Sequence, residues 1–249
     1  MSESLIHNDI INNTTNIDKN KSDIVIRSIT GLSKRVSNNF KNILDRIRGR
    51  KVFIFDLETT GLFNKKYFYK YWNNKIFNKS RIIEIGYYYS TNFGDDNFAS
   101  NNIIYSYLRK PTDFDNIDPE AESKHGININ KLQTEGYIFS KILNMNLIRI
   151  LSNCDIIISH NTMFDFSILL NELYRFKTKN LIKYLLNIKK SGNLICTCKA
   201  SGFRSLGTLY KLIFNDEPIT LHRAGDDVKT LLEIIMKKKL DLQFKYILN

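Results

Sequence analysis

Along the chain, apolar and polar positions fall into two periods, one of strands and one of helices. Phe53-Ile54-Phe55-Asp56-Leu57-Glu58-Thr59-Thr60-Gly61 is an apolar run of β-branched and aromatic residues that stops at glycine, the pattern of a strand buried on both faces. Arg81 to Tyr89 and Ile103 to Leu108 read the same way, with residues 92–102 as the turn between them. Three such strands in succession predict an antiparallel meander. Asp155 to Ser159 predicts another buried strand, and a helix follows Asn161-Thr162 to about Tyr174. Val36, Phe40, Ile43, Leu44 and Ile47 recur at helical spacing and predict a helix over about 32–48. A weaker helix is expected over 137–151, a short one over 205–214 and a last one from about 225 to 240, with 111–130 as a loop. Strands first and helices interleaved later predict an α/β class with a mixed sheet covered by helices. No internal repeat and no second domain is apparent. Residues 1–48 read as a polar N-terminal extension whose first thirty residues, rich in Asn, Ser, Thr and Lys, predict disorder, and 49–249 read as the main domain.

Composition changes this picture in three ways. A chain of 249 residues, 43% hydrophobic, can bury one sizeable core. Its net charge of +12 and pI near 9.5 point to a polyanionic partner, most simply nucleic acid, which fits a binder as well as an enzyme. The helix over 32–48 carries Lys34, Arg35, Lys41, Arg46 and Arg48 among its apolar positions, so it reads as packed on the main domain, with partner or nucleic-acid docking as the alternative. The segment 63–80 reads as a basic, aromatic insertion: Lys65, Lys66 and Lys70 interleave with Tyr71 and Trp72. Lysines can hold phosphates while rings stack on unpaired bases, although the same rings could pack on the domain. Cys154, Cys196 and Cys198 are an odd, sparse set without the spacing of a zinc site. They are expected to be buried free thiols, and the chain to work in an intracellular, reducing compartment, the cytoplasm or nucleus. No run has the length of a membrane span, and the polar start Met1-Ser2-Glu3-Ser4 is not that of a secretory signal.

The candidate chemistry lies in carboxylates. Asp56 and Glu58, two apart on a strand, point the same way. Each raises the other's pKa unless a cation neutralises the pair, though a strand end entering a polar turn has the same composition. Asp165 sits in the first turn of the helix after Asn161, and helical steps from it reach Ile168 and Leu169, so it faces the core. Steps from Asp227 reach Leu231, Ile234 and Ile235, whereas steps from Asp226 reach Thr230, Glu233 and Lys237; Asp227 therefore points inward. Four inward carboxylates suit hard divalent ions, Mg²⁺ or Mn²⁺, and two such ions can hold the attacking and leaving oxygens of a phosphodiester. His222, just before the last helix, could take a proton from the attacking water. A lone histidine in a basic protein is also an ordinary surface or cap residue.

Together these residues carry a resemblance. Phe-Asp-Leu-Glu-Thr-Thr-Gly, then His-Asn-x3-Asp, then His-Arg-Ala-Gly-Asp-Asp, in that order, resemble the three motifs of the DEDDh 3′–5′ exonucleases. This DnaQ-like group includes the proofreading subunit of bacterial DNA polymerase III and ribonuclease T. Arg81-Ile-Ile-Glu-Ile-Gly, Asp118-Pro-Glu-Ala and Lys124-His-Gly-Ile, between the motifs, match as well, and the similarity runs from about 51 to 240. The resemblance implies a ribonuclease H-like fold, a central mixed five-stranded sheet flanked by helices. It implies Asp56, Glu58, Asp165 and Asp227 as ligands of two divalent cations, His222 as general base, and Thr59, Glu120, His125 and Asn161 near the 3′-terminal nucleotide. It implies single-stranded DNA or RNA 3′ ends as substrate, nucleoside 5′-monophosphates as product, and a polymerase or another nucleic-acid-processing protein as a candidate partner. The 63–80 insertion is longer and more basic than usual in this group, and Cys196-Thr197 stands where members often have Asp-Thr. A catalytically silent nucleic-acid-binding or scaffold protein of the same fold is the alternative reading.

Overall fold

A computed structural model of the protein describes residues 34–246 apart from 37, 65, 67–69, 95–102, 219, 238–239 and 241–242. The expected disorder of the first thirty residues, and Lys65, lie outside the described residues.

The sheet is built from β1 (Val52–Thr59), β2 (Ile82–Ser90), β3 (Ile103–Leu108), β4 (Ile156–Ser159), β5 (Leu194–Cys196) and β6 (Gln243–Tyr246). Its strand order is β5-β4-β1-β2-β3-β6. β1, β2 and β3 form the antiparallel meander, while β4 pairs parallel with β1 and β5 with β4. This is the mixed five-stranded ribonuclease H-like arrangement, and β6 extends it by pairing parallel with β3. Parallel pairing of β1, β4 and β5 brings their C-terminal ends to the same edge, where loops and helix starts can converge.

Alternation along β1 divides the core. Phe53, Phe55 and Leu57 enter one apolar layer, and Val52 and Ile54 enter the other. The first layer is closed by α5 (Phe139–Ile142), a π-turn (Leu143–Leu147), α6 (Ile148–Leu151), α7 (Thr162–Arg175) and α8 (Lys179–Lys190). The second is closed by α1 (34–47, residue 37 aside), α10 (Leu206–Phe214) and α11 (Ala224–Met236). Helix α1 buries Val36, Phe40, Ile43 and Ile47, the face read from its period, and keeps Lys34, Arg35, Lys41, Arg46 and Arg48 exposed. Short helices α2 (Asn74–Phe77) and α9 (Thr197–Ala200) complete the set with the pair described next. Among the described residues no helix is long and apolar enough to cross a membrane.

Two expectations change, and one alternative left open is divided. The loop expected over 111–130 contains α3 (Pro119–His125) and the start of α4 (Ile129–Glu135). Asp118 caps α3 by accepting from the Glu120 N–H, Pro119 opens it and Gly126 ends it at φ 66°, local signals that outweigh the lack of apolar periodicity. Of the three free thiols Cys154 is buried, but Cys196 and Cys198 are only half-buried. The insertion is divided: Phe63 and Phe77 are in the core, Tyr71 packs edge-on against Trp72 and Tyr174, and Trp72 is half exposed.

Candidate active site

Asp56 and Glu58 continue the Val52–Ile54 phase of β1, so they point toward α11. Across the β1–β2 pairing, Gly86 lies opposite Asp56 and Glu84 opposite Glu58. A Cβ at Gly86 would come 2.3 Å from the carbonyl carbon and oxygen of Ala224. Only a glycine lets the first turn of α11 rest on the sheet at this point. That contact delivers Asp227: one oxygen each of Asp56, Glu58 and Asp227 lie within 4.8 Å of one another.

Asp165 enters from α7. Thr162 fixes the start of that helix, its hydroxyl lying 2.8 Å from both the Ser159 and Ile195 carbonyls, which ties β4, β5 and α7 at one corner. Asp165, in the first helical turn, is 4% exposed. Its charge reaches the cluster, adding to the effect of Asp227 on Asp56.

Burial and mutual repulsion make the ionised cluster costly. Burial, then Asp227, Asp165, Glu58 and Glu84, push Asp56 well above the ordinary carboxylate range. Burial, Asp227 and Glu84 push Glu58 up to about 8 against the pull of Arg223. Asp165 is raised by burial and Glu58. Asp227 is pushed up to about 7 by burial, Asp226 and Glu84, against the hydrogen bond from the His222 N–H. An oxygen-only donor set whose members raise one another's pKa is the chemistry of a site for a hard divalent ion.

Glu84 is the acid that sequence reasoning missed. It is 1% exposed, accepts from the Ser106 hydroxyl at 2.8 Å, from Arg223 Nε and Nη2 at 2.9 and 2.8 Å, and from the Ala224 N–H at 3.1 Å. Its lone pairs are therefore spent on α11 rather than offered to the cluster. The signal was present: an acid between Ile83 and Ile85, inside a buried strand, must have a partner. Arg223 is that partner, and it neighbours His222.

His222 is exposed at φ 66°, and its backbone N–H donates to Asp227 Oδ1 at 3.3 Å. With Glu58, Thr59, Glu120, His125 and Phe164 it lines a cavity of about 280 Å³ beside the cluster. His125 is buried, which holds its imidazole below the ordinary histidine pKa, and its Nδ1 accepts from the Ile127 N–H at 3.1 Å, leaving Nε2 as the N–H end. Thr59 Oγ1 donates to the Gly61 carbonyl at 3.0 Å, while exposed Glu120 pairs with Lys124 at 2.8 Å. Asn161, at φ 60° before α7, is exposed and does not line this cavity. Lys66, Lys70, Tyr71 and Trp72 also lie outside it.

The model of the RNase_T exonuclease family matches residues 53–235, and the chain belongs to that family. Among solved structures, Pop2p of S. pombe in a Mg²⁺- and Mn²⁺-bound form is 19% identical, with a TM-score of 0.49 over 82% of this chain and 88% of that one. E. coli ExoI in a zinc-bound complex with single-stranded DNA is 17% identical, with a TM-score of 0.48 over 78% of this chain. This chain spans 40% of the ExoI chain. No curated protein matches the sequence significantly.

Proposed function

We propose that the protein is a DEDDh-type 3′–5′ exonuclease that hydrolyses the terminal phosphodiester of single-stranded DNA or RNA and releases nucleoside 5′-monophosphates. The observation that carries this reading is the half-buried, mutually repelling set of Asp56, Glu58 and Asp227 with ligand atoms within 4.8 Å. Asp56, Glu58, Asp165 and Asp227 would hold two divalent cations, Mg²⁺ or Mn²⁺. Bound there, the ions would offset the carboxylate charge and stabilise the charge that builds on the attacking and leaving oxygens.

The side chains of the chain itself divide the remaining work. His222, at the mouth of the cavity, accepts the proton of the attacking water as general base. Its backbone bond to Asp227, and the Arg223–Glu84 pair one residue on, hold that loop over the cluster. Thr59, Glu120 and His125 line the cavity that receives the terminal nucleotide, where the His125 N–H can donate to a sugar or phosphate oxygen. Asn161, with exposed Lys66 and Trp72 on the 63–80 segment, would contact the strand beyond that nucleotide.

Purified Asp56→Asn and Asp227→Asn proteins are expected to lose Mg²⁺-dependent cleavage of labelled oligonucleotides while remaining folded. His222→Ala is expected to lower the single-turnover rate by about 10²–10⁴-fold with a smaller loss of binding. Full activity in either carboxamide variant refutes the proposal. Matched DNA, RNA and chimeric oligonucleotides decide the substrate through the 2′-OH.

A further inference from the structure

Between α9 and α10, the loop 201–204 presents a phenylalanine where folding gains least from one. Phe203 is 78% exposed and held at φ 65°, directly after Gly202 at φ 75°. Its N–H closes the end of α9 by donating to the Cys198 carbonyl at 2.7 Å. A left-handed conformation is unfavourable for a residue with a Cβ, and an exposed ring recovers nothing by burial.

Cations flank the loop that carries it. Arg204 folds back to donate to the Ser201 carbonyl, and Lys199 is exposed on α9. Helix α1 adds Arg35. It is seated here by Asn39 Nδ2, which donates to the Ala200 carbonyl at 2.6 Å. Arg35, Val36, Asn39, Ser201 and Arg204 line a cleft of about 140 Å³. The loop also belongs to the active-site edge of the sheet. His160, at the end of β4, donates from Nε2 to the Arg204 carbonyl at 2.8 Å, and β5 ends at Cys196, where α9 begins.

We infer that Phe203, with Arg35, Lys199 and Arg204, forms a platform for a single-stranded stretch of the nucleic-acid substrate, the ring stacking on an unpaired base while the cations hold its phosphates. An exposed aromatic face beside cations is the recognition chemistry of single strands. A base inside a duplex has both faces covered and cannot use the ring. The platform rests on the nuclease reading for the identity of the strand, and it gives α1 a role beyond covering the core.

The test measures binding of a labelled oligothymidylate of about a dozen nucleotides to the full chain in an Asp56→Asn background, which holds substrate without cleaving it. Phe203→Gly removes the ring and relieves the left-handed strain together. It is expected to weaken oligonucleotide binding by about 5- to 100-fold, to leave the affinity for thymidine 5′-monophosphate unchanged, and to hold or raise Tm. Arg35→Ser is expected to flatten the dependence of log affinity on log salt by about 0.7. Oligonucleotide affinity within twofold of the parent in Phe203→Gly, or an equal loss for the mononucleotide, overturns the platform. The catalytic reading is judged separately by cleavage in the otherwise unaltered chain with Mg²⁺. Cleavage there with unaltered Phe203→Gly binding removes the platform alone, and no cleavage with weakened binding removes the catalytic reading alone.

Discussion

At Asp227 folding and chemistry ask for opposite things. Burial and neighbouring acids push its pKa up to about 7, so at neutral pH its negative charge is held at a cost to the metal-free protein. Asp227→Asn keeps the shape and removes that charge. The metal-free variant is expected to melt about 2–5 °C above the parent while cleavage is lost, and differential scanning fluorimetry in EDTA beside an oligonucleotide assay checks both. The inward direction of this carboxylate was legible from its helical steps to Leu231, Ile234 and Ile235, whereas Asp226 lines a separate groove with Thr230 and Glu233. The Glu84–Arg223 pair was not legible, because its members are 139 residues apart in the chain. A strand pattern can say that a buried acid needs a cation without saying which one.

Helix α7 is held in place by a buried ionic network two turns beyond Asp165. Glu172, seven residues on and so on the same helical face, accepts from Arg81 Nε and Arg109 Nη1 at 2.7 Å each. Arg109 also stacks against Phe139 at 4.7 Å. Burial would raise the Glu172 pKa, but Arg109 and Arg81 hold it below the ordinary range. Because both guanidinium groups are buried, removing the Glu172 charge leaves two cations sharing the half-exposed carboxylate of Asp113. Glu172→Gln is therefore expected to cost about 3–5 kcal/mol, read as a lower urea midpoint at constant m-value. It also releases the rail along which Asp165 is set. At this scale long periodic elements such as α1, α7 and α11 could be read from the chain. Elements that depend on partners could not: β5 is three residues long, and β6 exists through its pairing with β3. Helix α8 is missing from the elements predicted above, since its lysines screen the spacing of Leu181, Ile182, Leu185 and Ile188.

Across the whole molecule these two groups of acids titrate in opposite directions, so stability should pass through a maximum in pH. Glu172 and Asp113 have lowered folded-state pKa values: burial alone would raise both, but Arg109 and Arg81 outweigh it. Their stabilisation is complete above the ordinary carboxylate pKa and is lost as pH falls through the lowered folded value. The cluster has the reverse sign. With Glu58 raised to about 8, Asp227 to about 7, and Asp56 and Asp165 also up, the folded state binds more protons than the unfolded chain from the ordinary carboxylate pKa to near pH 8. Stability therefore falls as pH rises through that window, by about 1.4 kcal/mol per pH unit for each excess proton bound. In EDTA the melting temperature is expected to peak in weakly acid solution and to decline toward pH 8. Mg²⁺ binds the deprotonated acids of the folded state alone, so adding it should raise the alkaline side and leave the acid side where it was. Thermal melts from pH 3 to 9, with and without Mg²⁺, measure both limbs. An alkaline limb that is flat in EDTA and indifferent to Mg²⁺ would mean that the four carboxylates are not the ion site on which the proposed hydrolysis depends.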